Sequence, residues 1–272
     1  MPFTHHIIPV DVTLNGESIG SYTFTEHKEV TENRINIGKD GWLIELDNTF
    51  DEDFKFYSNS YELPVMIQYP KLGKMSDSDA TTMFNEMKDS FNSLEALIYD
   101  DSFPNSDYLE YLDAKSFVNY LIVYTLTLNQ EINHPKSTYI YKKNGEKYCM
   151  GPIWDFDWTF GYKGEKETHF TSPNADLLLN SSKYKGGLFF SRVVNDPVIQ
   201  KLYKEEWSKF KQNNYPILVD YIKEYAELIR DSHARDQELW GQSTDSIDKY
   251  RDQMLDWLEQ RVAYMDNLTA NY

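Results

Sequence analysis

Two acids, Asp155 and Asp157, stand in the aromatic run Gly151-Pro152-Ile153-Trp154-Asp155-Phe156-Asp157-Trp158-Thr159-Phe160-Gly161. In an extended segment, side chains at i and i+2 share a face. Both carboxylates would then point one way, with Trp154, Phe156 and Trp158 on the other side. Packing of those rings would hold the carboxylates in place. A fixed carboxylate pair is what a hard cation such as Mg²⁺ needs. The plainer alternative is an acidic turn between two packed tryptophans, and the spacing alone does not separate the two.

The chain around this motif has 272 residues, enough for one large domain or two lobes. Asp and Glu number 44 against 27 Lys and Arg, a net charge of −17. That balance argues against nucleic acid or an anionic membrane as the main partner. It leaves room for a nucleotide, which a metal ion and a few local cations can hold. It would also suit a basic protein substrate, although solubility explains it as well. Cys149 is the only cysteine, so no intrachain disulfide is possible, and an apolar strand context makes it a small core residue. Met1 to Val10 has no long apolar run, so no signal peptide is expected, and nowhere are there 18 consecutive apolar residues.

The elements that must position the motif come in two styles. Residues 7–70 read as a small antiparallel sheet. Val10 to Leu14 and Ser18 to Thr25 alternate around the hairpin signal Asn15-Gly16, and Trp42 to Leu46 and Val65 to Tyr69 follow. From Asp77 the pattern turns helical. Ser76 or Asp77 can cap a helix through Met83, Met87, Phe91, Leu94 and Ile98. Ser106-Asp107 precedes a short helical stretch, and Asp113 can cap the next helix, lined by Phe117, Leu121, Tyr124 and Leu128. A second β island spans Ser137 to Met150 and turns at Asn144-Gly145, immediately before the acidic motif. Residues 186–270 are helical again, with Asn195-Asp196-Pro197 as a cap, one long helix from Tyr215 to Trp240, and a last helix through Met254, Leu258, Val262 and Met265. Tyr162 to Tyr184 reads as a long surface loop.

Several chemistries fall away. There is no G-x-G-x-x-G, P-loop, H-E-x-x-H, C-x-x-C or G-x-S-x-G. The histidines are scattered. Paired carboxylates for glycoside hydrolysis stay open, because acids are abundant.

Five further blocks carry a family resemblance. The hairpin Val10-Asp11-Val12-Thr13-Leu14-Asn15-Gly16 through Gly20-Ser21-Tyr22 to Glu26 resembles the opening hairpin of the CotH kinase family, the spore-coat-protein-H-like atypical kinases. Asn33-Arg34-Ile35 and Gly41-Trp42-Leu43-Ile44-Glu45-Leu46-Asp47 resemble the next two blocks. The stretch from Asn129-Gln130-Glu131 to Tyr141 is similar to the catalytic-loop region, Gly151 to Gly161 to the metal-binding motif, and Trp257 to Asp266 to the last helix. The blocks run in order from about residue 9 to 268.

The resemblance implies an α+β, kinase-like fold, with a β-rich N-lobe over 1–75 and a mainly helical C-lobe over 76–272 that carries the hairpin 137–150 and the motif 151–161. It implies transfer of phosphate from ATP, with Mg²⁺ or Mn²⁺, to Ser/Thr of a surface or coat protein. The order of helix, loop, hairpin and acid matches what phosphoryl transfer needs. Glu131 would be the base. Asp155 would hold the metal ion, with Asp157 as second ligand or support. Asn133 or Ser137 would serve where kinases place an Asn ligand. Glu26 or Glu45 would anchor a phosphate-binding cation, to be drawn from Lys28, Arg34, Lys71 and Lys136, with Lys136 at the nucleotide site.

Two departures shape the expectation. Glu131 stands where the loop should carry Asp, one methylene shorter, and no strand or lysine equivalent to the usual phosphate-covering loop precedes Val10. The chain is thus expected to be a piece of a longer protein or to have a reduced nucleotide lobe. Three functions follow: an active Mg–ATP phosphotransferase, an inactive kinase-fold binding or scaffold module, and an unrelated acidic-site hydrolase. By the same resemblance the location is the cell or spore surface, with the cytoplasm left open.

Overall fold

The computed structural model describes residues 3–105, 107–164, 168–241 and 244–272; Ser106, before the short helical stretch, and part of the expected loop 162–184 lie outside them. The fold is mixed α+β.

Strands β1 (Ile7–Leu14) and β2 (Glu17–Thr25) form an antiparallel hairpin. Its turn residues Asn15 and Gly16 both have positive φ, 54° and 88°, as the tight turn matching strand twist requires. This hairpin is a sheet of its own. The main sheet has five antiparallel strands in the order β4-β5-β3-β6-β7: β3 is Trp42–Leu46, β4 Lys55–Tyr57, β5 Pro64–Tyr69, β6 Thr138–Lys142 and β7 Tyr148–Met150. Two points differ from the single early sheet expected. The first hairpin is not hydrogen-bonded to the later strands, and the second β island joins them. Glu45 of β3 lies opposite Tyr139 of β6, and Leu46 opposite Thr138. The end of β3 therefore meets the loop that enters β6.

Helix α1 (Asp77–Tyr99) is capped by Ser76, whose Oγ accepts from the Asp79 N–H at 3.2 Å. Helix α2 (Ala114–Thr127) is capped by Asp113, which accepts from the Ser116 N–H at 2.6 Å. After α3 (Lys185–Val194), α4 (Pro197–Asn213) begins on an Asp196 cap with proline in its first turn. The expected long helix from Tyr215 is two, α5 (Tyr215–Leu228) and α6 (Arg230–Trp240), parted at Ile229. No Gly or Pro marks the break, and α6 sits on the first hairpin. There the Ser21 N–H donates to Asp236 at 2.8 Å and Arg235 pairs with Asp11. Helix α7 (Ile247–Ala270) closes the chain. Phe91, Phe117, Tyr120, Phe190 and Trp257 are almost wholly buried; Phe91 of α1 meets Phe56 and Tyr148 of the main sheet, and Phe117 of α2 stacks on Phe190 of α3. Each such ring contributes roughly 2–3 kcal/mol on burial.

The segment expected as a surface loop is fastened from beneath. Trp257 Nε1 donates to the Thr171 carbonyl at 2.9 Å, and Arg261 Nη1 to those of Pro173 and Ala175 at 2.8 and 2.6 Å. Leu177 is buried.

Candidate active site

Helix α2 ends at Leu128 in the left-handed region, φ 52°, which turns the chain into a short 3₁₀ helix, Gln130–Asn133. Asn129 caps it by accepting from the Glu131 N–H at 3.2 Å. This directs the Glu131 side chain inward, 2% exposed. Neither carboxylate oxygen accepts a hydrogen bond from a described residue. Lys136 Nζ is 3.7 Å from Oε1, an ion pair too long for a hydrogen bond. Burial pushes the Glu131 carboxyl up to about 7; Lys136 opposes the shift, and the charges of Asp155 and Asp157 add to it. The three acids thus share one electrostatic neighbourhood.

The acidic motif is not the extended segment its alternation suggested. Asp155 has φ 61° and a turn follows at Asp157-Trp158. The left-handed backbone swings the Asp155 carboxylate back to Ser137, whose Oγ donates to it at 3.3 Å. Asp is among the residues that tolerate this region. The rings do act as anchors, each in a different place. Trp154 meets His5 at 4.9 Å, Phe156 meets Tyr124 at 4.9 Å, Trp158 stacks on Tyr162 at 5.7 Å, and Phe160 meets Trp257 at 5.4 Å. Asp155 and Asp157 themselves are exposed. Gly161, φ 66°, lies so close to the Thr171 carbonyl that no side chain fits.

Ser137 links this edge to β3. Its N–H donates to Asp47 Oδ2 at 3.0 Å, while Asp47 Oδ1 accepts from the Thr49 N–H at 2.7 Å. Asp47, at the end of β3, was not singled out from the sequence, although it closes a quoted block. One residue pair further in, Glu45 accepts from the Tyr139 hydroxyl and from Gln68 Nε2 at 2.7 Å, with Lys28 Nζ at 3.7 Å. Lys28 also reaches the Tyr139 hydroxyl and lies 5.8 Å from the Trp154 ring. Burial raises the Glu45 pKa, against the pull of Tyr139 and Lys28.

Of the two acids considered as a cation anchor, Glu45 is the one beside a lysine at this site. Glu26 is at the end of β2, where it pairs with His6 at 2.9 Å on the surface. Asn133 is buried but facing elsewhere. Its Nδ2 donates to the Gln130 and Leu177 carbonyls at 2.9 and 2.7 Å, and its Oδ1 accepts from the Leu179 N–H at 2.6 Å. It ties the loop to the segment that follows the motif. Lys136 stands between Glu131 and the Trp158 ring, 5.5 Å away.

Ser137 thus joins Asp47 to Asp155, Glu45 pairs with Lys28, and Glu131 pairs with Lys136 within the electrostatic reach of Asp155 and Asp157. The unsatisfied oxygens of Glu131 and the exposed carboxylates of Asp155 and Asp157 suit an oxygen-liganded divalent cation. Among the described residues no group of three acidic, His or Cys side chains is placed to hold a metal ion. Two clefts adjoin the group. One of about 190 Å³ is lined by Glu131, His134, Trp158 and Tyr162, and one of about 470 Å³ by His5, Thr23, Trp154, Asp155 and Phe156. No described helix is long and apolar enough to cross a membrane.

No curated protein sequence matches this chain. The family model for CotH kinase protein matches residues 2–265. That match takes in the hairpin, the loop with Glu131, the acidic motif and most of α7, and the chain belongs to the CotH kinase family.

Proposed function

We propose that the chain is a phosphotransferase that uses ATP with Mg²⁺ or Mn²⁺ to phosphorylate Ser/Thr of a protein, by family a surface or coat protein. One observation carries this reading. Glu131, buried and accepting no hydrogen bond at either oxygen, shares its surroundings with Asp155 and Asp157 and pairs with Lys136. A carboxyl near 7 is matched to taking a proton at neutral pH.

In this reading Glu131 accepts the hydroxyl proton as the new P–O bond forms and the bond to the ADP oxygen breaks. Asp155, oriented by Ser137, and Asp157 would hold the metal ion. The ion would neutralise phosphate charge. Lys28, kept in place by Glu45, and Lys136 face the phosphates. The aromatic cleft beside Asp155 has the ring lining and size for a nucleoside.

A second reading, an inactive kinase-fold binding module, draws on one observation. The Asn133 amide is fully used in holding neighbouring backbone, which leaves only the Ser137 hydroxyl where a second metal ligand would come from this loop. Radiolabelled phosphate transfer separates the two readings. Wild type should incorporate label, and Asp155→Ala should lose at least about 10²-fold. Equal incorporation by both removes Asp155 from the chemistry; none by either, with Mg²⁺ or Mn²⁺, favours the binding module.

A further inference from the structure

Helix α7 carries Trp257, Arg261 and Tyr264 at a spacing of one turn, so they share a face. All three hydrogen-bond the segment that follows the acidic motif. Trp257 Nε1 reaches the Thr171 carbonyl, and the Tyr264 hydroxyl donates to Asp176. Arg261 does more. Its Nη1 takes the Pro173 and Ala175 carbonyls, and its Nε takes the Thr125 carbonyl, in the last turn of α2, at 2.7 Å.

Arg261 is wholly buried, and these hydrogen bonds go to main-chain carbonyls, none to a carboxylate. Its guanidinium lies over the Tyr264 ring, 4.2 Å from the centroid. Burial pulls its pKa down to about 10, which leaves it charged at neutral pH. Burying a charge is costly, and apolar packing often serves stability as well. What the guanidinium supplies in addition is a rigid plane whose edges grip two different segments.

Those two segments carry the site. The end of α2 leads into the loop with Glu131, and the Thr127 carbonyl accepts from the Phe160 N–H at 2.6 Å. The segment 170–179 holds both halves. On the motif side the Phe170 N–H donates to the Phe160 carbonyl at 2.6 Å, and the Thr171 hydroxyl donates to that of Gly161. On the loop side the Asp176 carbonyl accepts from Gln130 Nε2 at 2.8 Å, and Asn133 binds Leu177 and Leu179. Residues 151–160 lie in no helix or strand, so ring packing, the Ser137 contact and these bonds place the carboxylates.

We propose that Arg261, with Trp257 one turn before it, is a positioning residue that sets the spacing between Glu131 and the pair Asp155 and Asp157. Neither bonds to those acids; both act through the segment 170–179 and, for Arg261, through the end of α2. The proposal rests on the phosphotransferase reading for the consequence of that spacing, not for the clamp itself. A misplacement of about an ångström can cost about 10²-fold in rate.

The test is hydrogen–deuterium exchange of the full chain, read by mass spectrometry, beside steady-state transfer kinetics. Arg261→Lys keeps a charge but loses the planar fork. Exchange should rise about ten-fold in peptides covering 129–135 and 159–179, while β3 and α4 stay as protected as in wild type. Its kcat should fall about 10²-fold, with the KM for ATP within about two-fold of wild type. Trp257→Phe keeps a ring beside Phe160 and gives up the Thr171 bond. It should loosen the same peptides and lower kcat about five-fold, and it decides the question if Arg261→Lys does not fold. Faster exchange spread evenly over the chain, unchanged exchange in the two stretches, or local loosening with unchanged kcat would each overturn the proposal. No transfer by wild type with Mg²⁺ or Mn²⁺ would overturn the phosphotransferase reading instead, while the exchange pattern still decides the clamp.

Discussion

On the β3 side of Ser137 the acids are saturated. Glu45 has Tyr139, Gln68 and Lys28, and Asp47 holds two backbone N–H groups. On the other side Glu131 is also buried yet accepts no hydrogen bond, and Asp155 has one long contact. A carboxylate with all its partners in place is scaffold: removing it leaves buried donors unpaired. A buried carboxyl left unsatisfied costs stability unless a ligand completes it. The contrast separates carboxylates that hold neighbouring groups in place from carboxylates with few hydrogen bonds, and substitutions on the two sides should part company.

The largest divergence is expected at Glu131→Gln. Loss of the proposed base should lower transfer by about 10²–10⁴-fold, with no loss of stability at neutral pH. The sign follows from the raised pKa. Between about 4.5, the ordinary value, and about 7 the folded chain retains a proton that the unfolded chain has released. Stability therefore falls as pH rises through that window, by at most about 1.4 kcal/mol per unit. Glu131→Gln should flatten this slope in urea titrations from pH 4.5 to 7.5. An unchanged slope would mean that Glu131 is not held protonated by burial.

Asp47→Ala should do the reverse. It strips the acceptor from the Ser137 and Thr49 N–H groups and should cost about 3 kcal/mol by chemical denaturation, with transfer falling because Asp155 loses its oriented Ser137. A stability change below about 1 kcal/mol would place Asp47 outside the scaffold. The smallest effect belongs to Glu26→Gln, which touches only a solvent-exposed pair with His6. Melting temperature and nucleotide affinity should both stay at wild-type values; a loss of affinity would bring Glu26 back as a candidate anchor.

Local chemistry made much of the fold legible. Asn15-Gly16 and Asn144-Gly145 mark the two hairpins, and Ser76, Asp113 and Asp196 cap the helices they precede. What sequence did not reveal was non-local. The pairing of β6 with β3 brings Asp47 to Ser137, and no spacing announces a partner 90 residues away. The hairpin β1–β2 alternates as well as any core strand, yet it packs on α6 and leaves Phe24 66% exposed. The break at Ile229 has no breaker residue, because tertiary packing of α6 sets it. At the site, the acids were legible as residue types near the right elements, but the choice between Glu26 and Glu45 needed the position of Lys28. The D-x-D alternation misled for a physical reason: one left-handed residue, Asp155, cancels the period of two. Asn133 had the right type and place for a ligand, and only its contacts with Leu177 and Leu179 reveal a different duty.

The proposed function requires the edge of Glu131, Asp155 and Asp157 to receive a metal–nucleotide complex. Thermal shift with ATP, with and without Mg²⁺ or Mn²⁺, tests it most directly. Wild type should melt higher only when nucleotide and metal are both present, by the mass-action stabilisation of a ligand that binds the folded chain, and Asp155→Ala should abolish the shift. No shift with either metal, or an equal shift in Asp155→Ala, would contradict the account.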